Sequence, residues 1–405
     1  MKAYLVDILD SHTAFSQLSR IGVSETGKII MGEKLKYIII KLKNINSTAL
    51  NILKQEALSI GGELANHKDV ITGKITVSDS ILFGTPVQLR IIVKKIKPQQ
   101  FGLKELSHEL ENILSECDKS FKKSNPKKIK TKNGHLIFNG KTYVMGILNI
   151  TPDSFSDGGK FCDYSSAVKR GIEIEKEGAD IIDVGGESTR PGAETIGIQT
   201  EIDRVCPAIE KLHKTTNIPI SIDTRKSAVA KEALRAGASI INDASGLSYD
   251  AEGITSVLLD SDVPYIMMHS REKMPENMQK NLEPYDDIFF DILSYFKEKI
   301  EYLETKGFNA NNVILDPGFG FAKSLDDNYE LLSGITSFKS LGKPVLAGVS
   351  RKSFVRHITG KNKNDILSGN LGLASYLRLK GVDIIRVHEV KQTVSALSLL
   401  DRITA

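Results

Sequence analysis

Cysteine is scarce in this 405-residue chain. There are three, Cys117, Cys162 and Cys206, far apart and without a CxxC pair. That spacing excludes a disulfide framework and a zinc site, and fits reduced thiols in a cytosolic protein. No uncharged apolar run reaches the ~18 residues that a membrane helix requires, so no membrane association is expected. The opening MKAYLVDILDSH places Asp7 and Asp10 inside what would be a signal peptide's apolar segment; a cytoplasmic location is expected. Net charge is low as well, +4 from 54 basic and 50 acidic residues. It is too small and too dispersed for a nucleic-acid partner. The chain also lacks a Ser-His-Asp or Cys-His arrangement for nucleophilic catalysis.

What is present is enough apolar content, 40%, for two domains or one large one. Residues 119–132, KSFKKSNPKKIKTK, hold seven lysines, one proline and little apolar side chain, and read as an exposed linker. Residues 1–118 read as a small α/β domain. YLVDIL, LKYIIIKL and DSILFGT have strand character; STALNILKQEALSIGG, PVQLRIIVKKIK and LKELSHELENIL have helix character. No catalytic constellation is visible there, and His67 and His108 stand alone.

Residues 133–405 are more regular. HLIFNGKTYVMG carries an Asn139-Gly140 turn between apolar runs, a hairpin signal. Eight apolar segments follow: YVMGILNI, ADIIDVGG, IPISIDT, ASIINDASG, PYIMMHS, VILDPGFG, PVLAGVS and DIIRVHE. Each precedes a helical stretch, of which KSAVAKEALRAG and DNYELLSGITSFKSL are clear cases. Strands apolar throughout and alternating with helices imply a parallel sheet buried on both faces. Eight such units in this length predict a TIM (β/α)8 barrel of about 250 residues. An open doubly wound sheet is the alternative, but no GxGxxG follows the first strand.

Barrel active sites lie at the C-terminal ends of the strands, and there the unusual polar residues gather. The strands end in Asn149, Asp183, Asp223-Thr224-Arg225, Asn242-Asp243, His269, Asp316, Ser350-Arg351-Lys352, and Arg386 with His388 and Glu389. Any one of these fits a capping residue or a satisfied ion pair; all eight strands together do not. Asp223, Asn242, Asp316 and Lys352 suit a flat ligand with adjacent donors and acceptors, such as a pterin or guanine edge. Asn149, Thr189, Arg190, Arg386 and His388 suit a diphosphate, which arginine grips through its fork. Asn149 offers a side-chain oxygen to Mg²⁺, a cation that takes few protein ligands.

The segments GILNITPDSFSDGG, DVGGESTRPGA, SIDT, IND, LDPGFGF, SRK and RVHEV occur in the order and spacing of the dihydropteroate synthases. From about Gly134 onward the chain resembles that family closely. The segment after His269, MMHSREKMPENMQ, departs from the family pattern at Ser270 and Glu272. The resemblance implies a barrel that joins a pterin-CH₂ diphosphate to an arylamine, p-aminobenzoate by default, and releases pyrophosphate. It implies a pterin pocket of Asp223, Asn242, Asp316 and Lys352 with Phe321 beside it, and catalytic roles for Asp223, Asp316 and Lys352. Thr189, Arg190, Arg386 and His388 would hold the diphosphate; Phe155, Pro191, Ser350 and Lys352 would face the arylamine; Asn149 would bind Mg²⁺. It also implies a homodimer.

On that reading the polar stretch NITPDSFSDGG is a lid on a strand end. Phe155 closes over the arylamine, and Gly158 and Gly159 let the backbone bend. Two other functions weigh against it: a corrinoid-linked methyltransferase acting on a methyl-tetrahydropterin, and a non-catalytic pterin binder. Neither requires ESTRPGA, SRK or RVH.

Overall fold

The computed structural model describes residues 11–122, 126–151, 164–187, 195–271 and 283–404. The chain divides into two compact units, Met1–Asn125 and Pro126–Ala405.

In the first unit, β1 (Ile38–Asn46), β2 (Glu63–Asn66) and β3 (Val77–Gly84) form an antiparallel sheet in the order β1-β3-β2. Strand β1 alternates buried Ile38, Ile40 and Leu42 with exposed Ile39 and Lys41, the period-2 signature of a sheet with one buried face. Helices α1 (Ser11–Arg20) and α2 (Glu25–Gly32) precede it. Helix α3 (Ser47–Leu58) is capped by Asn46, whose side chain accepts from Thr48 N. Helix α4 (Pro86–Ile96) begins with a Thr85/Gln88 capping box and a proline in its first turn. Helix α5 (Leu103–Lys122) follows. Leu50, Leu53, Leu64, Leu82, Leu89, Ile92 and Leu110 make its core. The YLVDIL segment lies outside the described residues.

The second unit opens with a hairpin that the sequence did not announce. Strand β4 (Lys127–Thr131) pairs antiparallel with β5 (Gly134–Phe138), and Lys132-Asn133 forms the turn. The expected hairpin across Asn139-Gly140 does not form; that turn leads into the first barrel strand. Nor is the lysine-rich stretch a bare linker. It continues α5 through Lys122 and then supplies β4, which buries Ile129 and Thr131 between exposed Lys128 and Lys130.

Eight parallel strands follow: β6 (Tyr143–Asn149), β7 (Ile181–Gly185), β8 (Ile220–Asp223), β9 (Ile240–Asp243), β10 (Tyr265–Met268), β11 (Val313–Asp316), β12 (Leu346–Ala347) and β13 (Ile384–Val387). Their order is β11-β10-β9-β8-β7-β6-β13-β12. A parallel bridge between Leu315 and Val345 closes the circle, with Leu315 N donating to Pro344 O at 2.9 Å. Helices α6 (Tyr164–Lys176), α7 (Ile198–His213), α8 (Ser227–Ala236), α9 (Ala251–Ser261), α10 (Ile288–Thr305), α11 (Leu325–Ser333), α12 (Ser353–Thr359), α13 (Lys363–Leu379) and α14 (Val390–Thr404) lie between and after the strands. The helix expected over DNYELLSGITSFKSL breaks at Gly334 and continues as a 3-10 turn, Ile335–Leu341. A side chain at Gly334 would strike the Phe289 ring, so the chain needs a glycine there.

The barrel interior is layered. Met145, Ile181, Ile240, Ile266, Ile314, Leu346 and Ile384 form an apolar ring, onto which Ile129 and Leu136 of the hairpin pack. The hairpin therefore plugs the N-terminal end. Outward-facing residues of the same strands, such as Val144, Ile182, Ile222, Ile241 and Leu315, pack in the cluster shared with the helices.

Candidate functional site

Period-2 alternation decides which polar residues enter the barrel. Two residues beyond the apolar ring, Asp183 follows Ile181, Asn242 follows Ile240, Asp316 follows Ile314 and Arg386 follows Ile384. Register brings Asn149 beside Gly185, Gly185 beside Asp223, and Asp223 beside Asn242. The polar layer thus sits directly above the ring at the C-terminal mouth.

Arg386 organises this layer. Its Nε donates to Asp183 Oδ2 and its Nη2 to Asp223 Oδ2, each at 2.6 Å. Asn242 Nδ2 also donates to Asp183 Oδ2, at 3.1 Å. Burial pushes the Asp223 carboxyl up to about 7; the neighbouring Asp183 adds to the rise, and Arg386 opposes it. For Arg386, burial lowers the pKa, but Asp183 and Asp223 outweigh it and hold the guanidinium charged. Sequence reasoning grouped Arg386 with the diphosphate residues and left Asp183 without a role. The structure instead joins Arg386 to two carboxylates, one of them a member of the expected pterin set. These partners lie 203 and 163 residues away in the chain, and no local pattern reveals them.

Asp316 and Lys352 share the opposite wall. Asp316 Oδ1 accepts from Gly318 N at 2.8 Å, and burial raises its pKa despite that bond and the Lys352 charge. The Lys352 ammonium lies 3.9 Å from the centroid of the Phe321 ring, a cation–π contact. Burial brings Lys352 down to about 8, against the pull of Asp316. Asp223, Asn242, Asp316, Lys352 and Phe321 thus all stand at the mouth.

Ser350 and His388, expected on different substrates, touch each other. Ser350 Oγ lies 3.0 Å from His388 Nδ1 and donates to Glu389 Oε2 at 3.1 Å. Arg351 donates to Glu389 Oε1 at 2.6 Å and holds a left-handed backbone, φ 60°. Asn149 has no side-chain hydrogen-bond partner among the described residues. A Cβ placed on Gly185 would stand 3.5 Å from Asn149 Oδ1 and 3.8 Å from Asp223 Oδ2, so the glycine leaves an open notch between them. Phe155, Thr189, Arg190 and Pro191 lie outside the described residues, as do Gly158, Gly159 and Glu272.

Two buried lysines escaped sequence reasoning. Lys226 donates to Glu187 at 3.0 Å, Glu201 at 2.7 Å and the Ile196 carbonyl at 2.8 Å, all beside the ends of β7 and β8. Lys323 reaches His269 at 3.1 Å. Asp243, in contrast, points away from the mouth. It accepts from Ser245 N and Oγ, Leu247 N and Tyr265 OH, a structural role.

A closed parallel barrel with carboxylates, an amide, a guanidinium and an ammonium converging at its C-terminal mouth belongs to the (β/α)8 enzyme class. Residues 145–388 match the model of the pterin binding enzymes. The dihydropteroate synthase of Bacillus subtilis (strain 168) is 42% identical over 273 residues, covering 67% of this chain and 92% of that protein. A crystal structure of the Xanthomonas albilineans dihydropteroate synthase with 4-aminobenzoic acid superposes with a TM-score of 0.64 at 36% identity, covering 69% of this chain and 99% of that one. A probable bifunctional folylpolyglutamate synthase/dihydropteroate synthase of Haloferax volcanii matches 86% of this chain at 36% identity, and 41% of its own length. The chain belongs to the pterin binding enzyme family, among the dihydropteroate synthases.

Proposed function

We infer that this chain is a dihydropteroate synthase of folate biosynthesis, a transferase that joins a dihydropterin methyl diphosphate to p-aminobenzoate or a related arylamine. The observation that carries the site assignment is the single polar layer in which Arg386 links Asp183 and Asp223 beside Asn242. Paired carboxylates and an amide complement the N–H donors and acceptors of a pterin edge.

The reaction breaks the C–O bond between the pterin methylene and the diphosphate and makes a C–N bond to the arylamine. The electron pair of the broken bond leaves with pyrophosphate, and the amine proton is lost to solvent. As the C–O bond lengthens, positive charge spreads into the pterin ring. Asp223 and Asp316, at low effective dielectric above the isoleucine ring, stabilise that charge more than they would in water. Asn242 fixes the edge of the ring, and the Lys352 ammonium and Phe321 close its side. A weakly basic aromatic amine can attack so strong an electrophile without a nucleophilic side chain.

Thr189, Arg190 and His388 serve the leaving diphosphate in this scheme, and Arg386 adds its charge from the pterin side. Phe155, Pro191 and Ser350 face the arylamine. The donor chemistry at the mouth fits Mg²⁺: Asn149 offers a neutral oxygen beside the Gly185 notch, suited to an ion whose other ligands are diphosphate oxygens and water. Held there, Mg²⁺ would supply positive charge to offset that of the departing pyrophosphate. The enzyme acts in the cytoplasm as a homodimer on this reading; no helix among the described residues is long and apolar enough to cross a membrane.

Incubating the purified chain with both substrates and quantifying pyrophosphate and dihydropteroate tests the assignment. Equal amounts of the two products, dependent on the amine, are expected. Folded protein that yields neither would refute it.

A further inference from the structure

We infer that Lys323, on the assumption that the mouth binds a pterin, is a positioning residue of that pocket: its ammonium ties the end of β10 to the Gly318–Lys323 turn and thereby fixes the Phe321 ring against which Lys352 rests.

The turn after β11 is held from outside as well as from within. Gly318, Gly320 and Ala322 all have positive φ, at 71°, 75° and 47°, and the last is a conformation that side-chain-bearing residues seldom adopt. Within the turn, Phe321 N donates to the Gly318 carbonyl at 3.2 Å. Side chains add to it. Asp316 accepts from Gly318 N, and Asn328 of α11 accepts from Gly320 N at 2.7 Å. Lys323 Nζ donates to the Phe321 carbonyl and reaches His269 Nδ1, each at 3.1 Å.

His269 belongs to the same assembly. Its backbone N donates to the Asp316 carbonyl at 2.8 Å. Its own carbonyl lies so near Gly318 that a Cβ there would approach to 2.1 Å. Burial and the Lys323 charge both lower the His269 pKa, so its ring stays neutral and accepts at Nδ1. The Lys323 side chain therefore bridges His269, just beyond β10, and the carbonyl of the residue that carries the aromatic ring.

Burying an ammonium is costly, and Lys323 is only 6% exposed. Burial brings it down to about 7, with Asp316 and Asp327 opposing and Arg271 and Lys352 adding to the fall. Packing alone would be met by methionine. The lysine is explained if the carbonyl it holds must stay in place, because Phe321 packs with Met268 and its ring meets the Lys352 ammonium.

The test uses the full chain and free 6-hydroxymethylpterin, whose own fluorescence reports binding, together with steady-state kinetics. Lys323→Met should raise the pterin Kd, and the KM for the pterin diphosphate, by about tenfold or more, with kcat at saturation within about threefold of wild type. Loss of active protein alone would lower kcat and leave KM and Kd unchanged; that result overturns the inference. Should Lys323→Met fail to fold by circular dichroism, His269→Leu removes the other end of the contact. It should weaken pterin binding in the same direction, and an unchanged Kd there also overturns the inference. Wild-type protein that binds no pterin would instead refute the pocket assignment.

Discussion

Arg386 of β13 and Asp223 of β8 meet across the barrel mouth, Nη2 to Oδ2 at 2.6 Å, with two strands between them in the sheet. The same guanidinium holds Asp183 at the same distance. One cation thus balances two carboxylates, the buried Asp183 and the partly exposed Asp223, and its loss cannot be confined to one substrate group.

Arg386→Ala should therefore weaken binding of free pterin as well as of the pterin diphosphate. It strands two carboxylates in the barrel, a change that typically costs about 3–5 kcal/mol when a buried pair is broken. Calorimetric titration with free pterin and a melting curve measure both. An unchanged Kd for free pterin would show that Arg386 serves the diphosphate alone.

The pH dependence of kcat/KM should be bell-shaped. Asp223 must be ionised to favour the developing cation, and its carboxyl is raised to about 7, so activity falls as pH drops through that value. Lys352 must be protonated to hold its charge at the pocket wall, and its ammonium is lowered to about 8, so activity falls again as pH rises through that value. Lys352→Arg should push the alkaline limb upward. An alkaline limb unmoved by that substitution would assign it to another group.

The hairpin makes a distinction between two truncations. A chain starting at Pro126 keeps β4 and should fold and turn over p-aminobenzoate, because no catalytic set lies in the first unit. A chain starting at Asn133 loses Ile129 from the barrel plug and should melt markedly lower; Ile129→Ala alone should cost about 2–5 kcal/mol. Equal melting temperatures for the two truncations would contradict the plug.

The eight barrel strands were legible because each is buried on both faces, and an apolar run such as ILNI or IIDVGG shows that directly. The mouth residues were legible because they end those runs. The hairpin was not. Asn139-Gly140 is a strong local turn signal, whereas what places β4 is Ile129 finding the isoleucine ring, a contact outside any window of sequence. Asp183 was visible at a strand end, but its pairing with Arg386 depends on register around the closed sheet. Lys323 drew no reading from the sequence, since nothing there says that the turn folds it back onto His269.

The central claim is that the Asp223 charge stabilises the transition state and does not merely hold the pterin. Asp223→Asn keeps the size and some hydrogen bonding and removes the charge. With the fold checked by circular dichroism, its steady-state kinetics decide the matter. The expected result is a fall in both kcat and kcat/KM of about 10²-fold or more, the scale of a lost electrostatic contact to a transition state. A raised KM with kcat near wild type would contradict it.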